Sequence, residues 1–382
     1  MRRILVIGRF SKEALAPLEQ LQFDEQIQLE IGPSTLSTEE LTARLAGEPE
    51  GLMGIVCRAT SGARIDDGVL ARVRRPFFIA SASKGTDHID LADSSGVTVF
   101  KPRGDGNASA VAELTVAKAI DLVRRVPLAR AAMQRDELSN GAVAGARSLQ
   151  GSEWTCLGKG AQVRKLARIL PGLGITTLNI WAPTVDLPSL RECFRGAPLT
   201  ELDVSLATDA SEVQITYAVG DIAIQVRGMR QLDAALGSAD VASIHLPYSP
   251  HPFGAWPKTE GLIDGARLRA LKSGAMLINV SRGELVEEED VIKALYDGHI
   301  GGYSTDVLYT DAEARRTLRS SKLGNLLWEQ ITGRAKKPLN LDITPHIGGS
   351  AEDVVTKMTH DVIDQLLEAI SIVPPRRGGA HV

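Results

Sequence analysis

The chain has 382 residues, 43% of them hydrophobic, and a formal net charge of −4. That length exceeds what one ordinary core organises and predicts two domains, while the near-balance of charge argues against a nucleic-acid or anionic-membrane partner. The three scattered cysteines, Cys57, Cys156 and Cys193, suit neither a disulfide frame nor a zinc site and fit a reducing compartment. No run reaches the length of a membrane span, and the apolar run after Arg2-Arg3 is too short for a signal-peptide core. The expectation is a soluble, cytoplasmic protein without a metal site.

In chain order, residues 4–7 read as a first strand, followed by Ile55-Val56-Cys57, Phe77-Phe78-Ile79-Ala80 and Val97-Thr98-Val99-Phe100. Strands alternating with helical stretches predict a parallel sheet. Ser83-Lys84-Gly85-Thr86-Asp87-His88 lies between two of these strands, and 102–106 reads as a loop. A helix is predicted over 107–125 from the spacing of Val111, Leu114, Thr115, Ala119, Leu122 and Val123, with Asn107 as its N-cap. A polar, glycine-spotted segment follows to Gln150.

Trp154-Thr155-Cys156-Leu157-Gly158-Lys159-Gly160-Ala161-Gln162-Val163 reads as strand, glycine turn and helix start, with the helix running over 164–170. In a dinucleotide loop, the first glycine makes the tight turn and the second lets the backbone approach a pyrophosphate; Gly158 and Gly160 meet those needs. The third position, which brings helix and strand close, is Val163. The strand Leu178-Asn179-Ile180 ends in Trp181, where an acidic residue would grip a ribose, and Asp186 is the next carboxylate along. Within 186–230, alternation in 213–217 and 222–226 around Val219-Gly220-Asp221 predicts an inserted β-hairpin, read as a surface elaboration.

The stretch 236–250 reads as a strand ending in His-Leu-Pro. In 271–311, Leu277-Ile278-Asn279-Val280 is a buried parallel strand running into Ser281-Arg282-Gly283, and a second apolar run ends at Thr305-Asp306-Val307. Open parallel sheets bind ligands outside the carboxyl ends of their strands, and a forked, permanent cation there suits a carboxylate or a polarised carbonyl. A third step, Asp342-Ile343-Thr344-Pro345-His346-Ile347-Gly348-Gly349-Ser350, closes on a histidine. Residues 335–338 look like exposed loop in a second elongation. Ser350 with Asp353 predicts a capping box for a last helix, whose apolar face is Val354, Val355, Met358, Val362, Leu366 and Ile370.

These words resemble the D-isomer-specific 2-hydroxyacid dehydrogenases, whose pattern at these places is roughly SDVVSLHLPLT, NxxRG, DVFxxEP and TPHIAG. The resemblance runs from about Ile55 to Ile370 with two long interruptions. It implies an α/β fold of two Rossmann-like doubly wound parallel-sheet domains with a cleft between them. The outer, substrate domain would be 1–105 plus 347–382, and the dinucleotide domain 106–346. The implied activity is hydride transfer between NAD, or NADP, and a small 2-hydroxy or 2-keto acid. Arg282 and His346 fall on the catalytic arginine and histidine. Asp311 falls on the catalytic glutamate, shortened by one methylene, with Glu313 as a spare.

The resemblance also implies cofactor contacts at Gly158, Gly160, Ala161, Gln162, Val163, Trp181, Val280 and Asp306, and substrate contacts at Lys84, Gly85 and Asn107. A homodimer is implied as well. The Lys84-Gly85 word is also similar to the LKGxDN of phosphite dehydrogenases. Oxidation of another small anion, phosphite first, therefore stands as an alternative, beside a non-catalytic sensing or interaction descendant.

Overall fold

A computed structural model describes residues 2–47, 51–86, 88–93, 95–138, 140–195, 200–206, 212–219, 221–308, 318–335 and 337–370. Asp311 and Glu313, the expected partners of His346, lie outside the described residues, as does Asp87. The chain divides into two compact units, Met1–Asn107 with Gly349–Val382, and Ala108–Gly348.

The first unit begins β1 (Arg2–Ile7), α1 (Lys12–Phe23), β2 (Ile27–Ile31), α2 (Thr38–Gly47) and β3 (Leu52–Cys57). It continues through β4 (Ile65–Asp66), β5 (Phe77–Ser81), β6 (Ile89–Asp90) and β7 (Val97–Phe100). Five of these strands form a parallel sheet in the order β2-β1-β3-β5-β7. Side chains of β1 alternate between two cores: Ile4 and Val6 enter one, Leu5 and Ile7 the other. A strand buried on both faces reads as a continuous apolar run, which is why 4–7 shows no polar alternation.

The second unit opens with α3 (Ala108–Val123), α4 (Val126–Gln134), β8 (Glu153–Leu157), α5 (Ala161–Ile169), β9 (Thr177–Trp181) and α6 (Leu187–Cys193). Then come β10 (Thr200–Leu206), β11 (Glu212–Val219), β12 (Ile222–Met229), α7 (Leu232–Gly237), β13 (Val241–Ile244) and α8 (Gly265–Ala270). It ends with β14 (Ala275–Asn279), α9 (Glu288–Tyr296), β15 (Ile300–Thr305), α10 (Lys322–Ile331) and β16 (Leu341–Ile343). The last helix, α11 (Glu352–Ala369), belongs to the first unit. It buries Val362, Ile363, Leu366 and Leu367 beside Ile4 and Val56.

The nine strands of the second unit run β10-β11-β12-β9-β8-β13-β14-β15-β16. From β12 to β16 all neighbours are parallel. The expected hairpin is β11–β12, closing at Val219↔Ile222. Its reading as a surface elaboration needs correction. Strand β12 pairs in parallel with β9, Gln225↔Thr177 through Met229↔Trp181, and is an interior strand of the sheet. Ile215, Tyr217, Ile224 and Val226 share a core with Trp154 and Ile180. One face of β12 stays open, with Ala223 and Gln225 exposed, so its sequence alternates as a solvent-facing hairpin would.

One further expectation shifts. The capping box of the last helix does not form: Ala351 is the N-cap of α11 without a side-chain bond, and Ser350 Oγ instead accepts from Arg58 Nη2 at 3.4 Å. Within the second elongation stands α10, capped by Ser321 Oγ accepting from Gly324 N at 2.9 Å. Among the described residues no helix is long and apolar enough to cross a membrane, and no group of three or more His, Cys, Asp or Glu could hold a metal.

Candidate functional site

Strands β14 and β15 are neighbours, and each ends in a buried polar side chain that fastens the loop beyond it. Asn279, fully buried at the end of β14, donates from Nδ2 to Arg282 O at 2.7 Å and accepts from Ser281 N at 3.0 Å. Ser281 Oγ donates to Leu246 O, closing the turn against the strand beside it. Arg282 is thereby fixed in extended backbone, half-buried, with Nη1 donating to Ser281 O at 2.8 Å.

Asp306, 2% exposed, does the same for the next loop. Its amide donates to Asn279 O at 2.9 Å, locking the two strand ends together. Its Oδ1 accepts from Thr344 Oγ1 at 2.6 Å and Ile347 N at 2.8 Å, and its Oδ2 from Gly348 N at 2.7 Å. Short hydrogen bonds to a carboxylate are the strong kind. They hold His346 at φ +57°, a left-handed conformation that costs a side-chain-bearing residue about 1–2 kcal/mol. The imidazole is exposed, and its backbone amide donates to Thr344 O at 3.0 Å. A Cβ on Gly348 would lie 3.0 Å from Asp306 Oδ2, so glycine is what lets the loop close on the carboxylate.

Sequence reasoning missed Lys118. It lies in α3, 2% exposed, with Nζ donating to Asp342 Oδ2 at 3.0 Å, Ser304 Oγ at 3.1 Å and Thr305 O at 3.3 Å. A buried ammonium is tolerated only when paired and bonded like this. It ties α3 to β15 and β16, the strands that carry Asp306 and the His346 loop. The available signal is a lysine inside the apolar period of that helix, beside Thr115 and Leu122.

The glycine turn follows β8. Gly158 has φ +117°, and a Cβ there would sit 2.6 Å from His245 O, so this position needs glycine on both counts. At Gly160 a Cβ would meet nothing within 4 Å. That residue is the N-cap of α5, with no side-chain cap on the helix amides. Ala161 and Gln162 are half-buried. Val163 is fully buried in the core that also holds Val111 and Leu166, filling the space a third glycine would leave. Val280 packs in that same core.

A polar chain also missed from sequence lies beneath this turn. Gln162 Oε1 is 2.9 Å from His245 Nδ1, and His245 Nε2 is 2.9 Å from Ser243 Oγ, which accepts from Trp154 Nε1 at 2.9 Å. Burial pushes His245 down to about 3, so its imidazole is neutral at ordinary pH. A neutral ring that donates from Nδ1 to the Gln162 oxygen and accepts at Nε2 from the Ser243 hydroxyl satisfies every member.

Trp181 is 2% exposed, donates from Nε1 to Arg230 O at 3.1 Å and meets Trp256 edge-on at 5.9 Å. Asp186 caps α6, accepting from Ser189 N at 3.0 Å, and bonds from Ser189 hold its carboxyl below the usual range. The carboxylate nearest in sequence to the expected ribose position is thus committed to a helix start.

In the first unit, Lys84 Nζ donates to Pro102 O at 3.1 Å and Gly104 O at 2.5 Å, spending two of its three donors on the 102–106 loop. Ser83 Oγ accepts from Ala59 N at 2.8 Å. Gly85 and Asn107 are half-buried, and a Cβ on Gly349 would stand 2.4 Å from Asn107 Nδ2.

A family model described as "D-isomer specific 2-hydroxyacid dehydrogenase, NAD binding domain" matches residues 209–348, taking in Arg282, Asp306 and His346 and beginning after the glycine turn. The D-3-phosphoglycerate dehydrogenase of Haemophilus influenzae is 27% identical over 286 residues, 74% of this chain and 56% of that protein. The (S)-sulfolactate dehydrogenase of Chromohalobacter salexigens is 25% identical over 332 residues, 86% and 88% of the two chains. The chain spans 56% and 58% of the length of the H. influenzae and Bacillus subtilis D-3-phosphoglycerate dehydrogenases.

Among solved structures, the TT0316 protein from Thermus thermophilus superposes with a TM-score of 0.70 at 25% identity, covering 98% of each chain. A glyoxylate reductase from Paecilomyes thermophila gives 0.71 at 19% identity, covering 98% of this chain and 97% of that one. The shared architecture extends over nearly the whole chain, and the family pattern falls on the strand ends that fasten Arg282 and His346. On that combination, the chain is similar to the D-isomer-specific 2-hydroxyacid dehydrogenases in its fold and in the pattern of these strand ends.

Proposed function

We propose that the chain is an NAD(P)-dependent oxidoreductase interconverting a small 2-keto acid and its 2-hydroxy acid. The observation that carries this reading is the fastening of Arg282 and His346 by buried Asn279 and Asp306 at adjoining strand ends. Bound there, a nicotinamide cofactor supplies or accepts the hydride. His346 gives a proton to the carbonyl oxygen in reduction and takes it back in oxidation, work suited to an imidazole. Arg282 holds the charge that develops on that oxygen and orients the acid. By resemblance, Asp311 takes the place of the acidic partner of the catalytic histidine.

The glycine turn fits the cofactor's phosphates. Gly158 makes the turn, open space in front of Gly160 admits a pyrophosphate, and the uncapped start of α5 offers the amides of Ala161 and Gln162. Val280 and Asp306 are the remaining cofactor-side candidates, and Val163 and Trp181 back the site from the core. With Asp186 engaged in a cap, no carboxylate among the described residues is assigned to the ribose, so the reading covers both NAD and NADP. The backbone at Lys84 and Gly85, with Asn107, takes the substrate carboxylate. A homodimer completes the reading, and light scattering checks it.

The test is calorimetric titration with NADH and then NADPH, followed by turnover of a 2-keto acid panel. Saturable micromolar binding and keto-acid-dependent oxidation of the nucleotide support the proposal. No binding of either nucleotide by the folded protein overturns it in favour of a non-catalytic role.

A further inference from the structure

The Lys118 ion pair lies where the nine-stranded sheet is least able to set its own register. Strand β16 stands at the end of the strand order and has three residues. They pair as Tyr303↔Leu341, Ser304↔Asp342 and Thr305↔Ile343. So short a ladder specifies register weakly, yet His346 follows its last residue by three. A slip of one residue along the strand would carry the imidazole about 3.3 Å and turn Asp342 to the opposite face of the sheet.

The central rung of that ladder carries the charges. Ser304 Oγ donates to Asp342 Oδ2 at 2.8 Å, and both oxygens accept from Lys118 Nζ, at 3.1 Å and 3.0 Å. In a slipped register Asp342 would leave Lys118, and a buried ammonium without its carboxylate is costly. Asp121, three residues on in α3, is engaged by Arg130 at 3.6 Å instead. Lys118 also reaches beyond the rung. Thr305 O accepts from its Nζ at 3.3 Å and from Thr344 N at 3.0 Å, and Thr344 O accepts from His346 N at 3.0 Å. The Thr305 carbonyl and Thr344 thus link the ammonium to the His346 amide.

An apolar pair of similar volume would often fill such a space without loss of stability, or with a gain. What an apolar pair does not supply is a choice of register, because it packs in more than one. We propose that Lys118 and Asp342 are positioning residues: their ion pair locks the register of β16 on β15 and so sets the place of His346 for proton transfer. The role given to His346 rests on the dehydrogenase reading; the register lock does not.

The test uses the full chain and three variants: Lys118→Met together with Asp342→Leu, Ser304→Ala, and His346→Gln as a reference. Steady-state kinetics follow the oxidation of NADH and NADPH with glyoxylate, pyruvate and oxaloacetate. NMR follows the His346 ring Cε1–Hε1 signal, identified by its absence from His346→Gln. The double variant should melt at or above the wild-type midpoint. Its kcat should nevertheless fall about ten- to a hundredfold, as a misplaced proton donor requires, with KM for the keto acid little changed. Its His346 signal should shift or split. Ser304→Ala, which removes one bridging hydroxyl, should move both readouts the same way by less, and it decides the matter if the double variant does not fold. A wild-type kcat in the folded variants, or a His346 signal that stays in place, overturns the proposal. If wild type turns over no keto acid, the dehydrogenase reading fails and the His346 signal alone decides: a shift upholds the register lock, and an unmoved line overturns it.

Discussion

The carboxyl edge of the nine-stranded sheet is built in two different ways. Over β14, β15 and β16, specific polar side chains fix the loops: Asn279, Asp306 and Lys118 are all buried and each makes two or more bonds. Over β8 and β9, shape and apolar packing fix them: Gly158 fits under His245 O, and Val163 and Trp181 fill core space. A buried polar contact demands one residue type, whereas a packed volume accepts several. The family model's match at 209–348 covers the first half and leaves out β8 and β9. The second half keeps a strand–turn–helix with Val163 and Trp181 where a dinucleotide loop has its third glycine and its acid.

The sharpest way to break this contrast is at the first half's chemistry. If His346 is the proton donor, His346→Gln should lower kcat by about a hundred- to ten-thousandfold with nucleotide binding retained. Steady-state kinetics with parallel calorimetry would show it, and a variant of near-normal kcat would remove His346 from the reaction. Next in size is Asp306→Ala, which orphans the amides of Ile347 and Gly348 together with the Thr344 hydroxyl. At about 1–3 kcal/mol for a buried donor left unpaired, and less for the part-buried Ile347 amide and Thr344 hydroxyl that water can reach, a loss of about 2–4 kcal/mol is expected by chemical denaturation. An unchanged denaturation midpoint would mean that the loop does not depend on the carboxylate.

Val163→Gly probes the second half. Restoring the missing glycine would tighten cofactor binding if Val163 were a lesion. Since Val163 is fully buried among Val111 and Leu166, the expected result is instead a loss of about 2–3 kcal/mol with no gain in nucleotide affinity. A rise in affinity measured by calorimetry would show that the turn is packed too wide.

The same contrast explains what the sequence discloses. Strand-end words such as Ser281-Arg282-Gly283 and Thr344-Pro345-His346 are local, and so are the hairpin alternation and the Gly158 turn. What fastens them is not local. Lys118 meets Asp342 across 224 residues, and His245 meets Gln162 across 83; no window of sequence displays such pairs. The strand-end position of Asp306 points to a cofactor contact, yet the bonds it makes in the structure all go to the His346 loop and its neighbouring strand. Strand β12 is legible as an element but not in its place, because one open face gives an interior strand the same period-two pattern as a surface hairpin.

The smallest expected effect tests the polar chain beneath the turn, where the second half too relies on specific bonds. His245 falls from an ordinary 6.5 to about 3 through burial. The unfolded chain therefore binds a proton between those values that the folded chain does not, and stability rises with pH across that window. Above about 6.5 the full contribution is present, and it is lost as the pH falls toward 3. Carboxylates titrate over part of the same range, so the informative quantity is the difference between wild type and His245→Gln. The variant should melt less steeply with acidification between pH 6.5 and 3. Parallel acid-limb curves for the two proteins would mean that His245 is not held neutral, and the Gln162–His245–Ser243 chain would lose its assigned donors and acceptors.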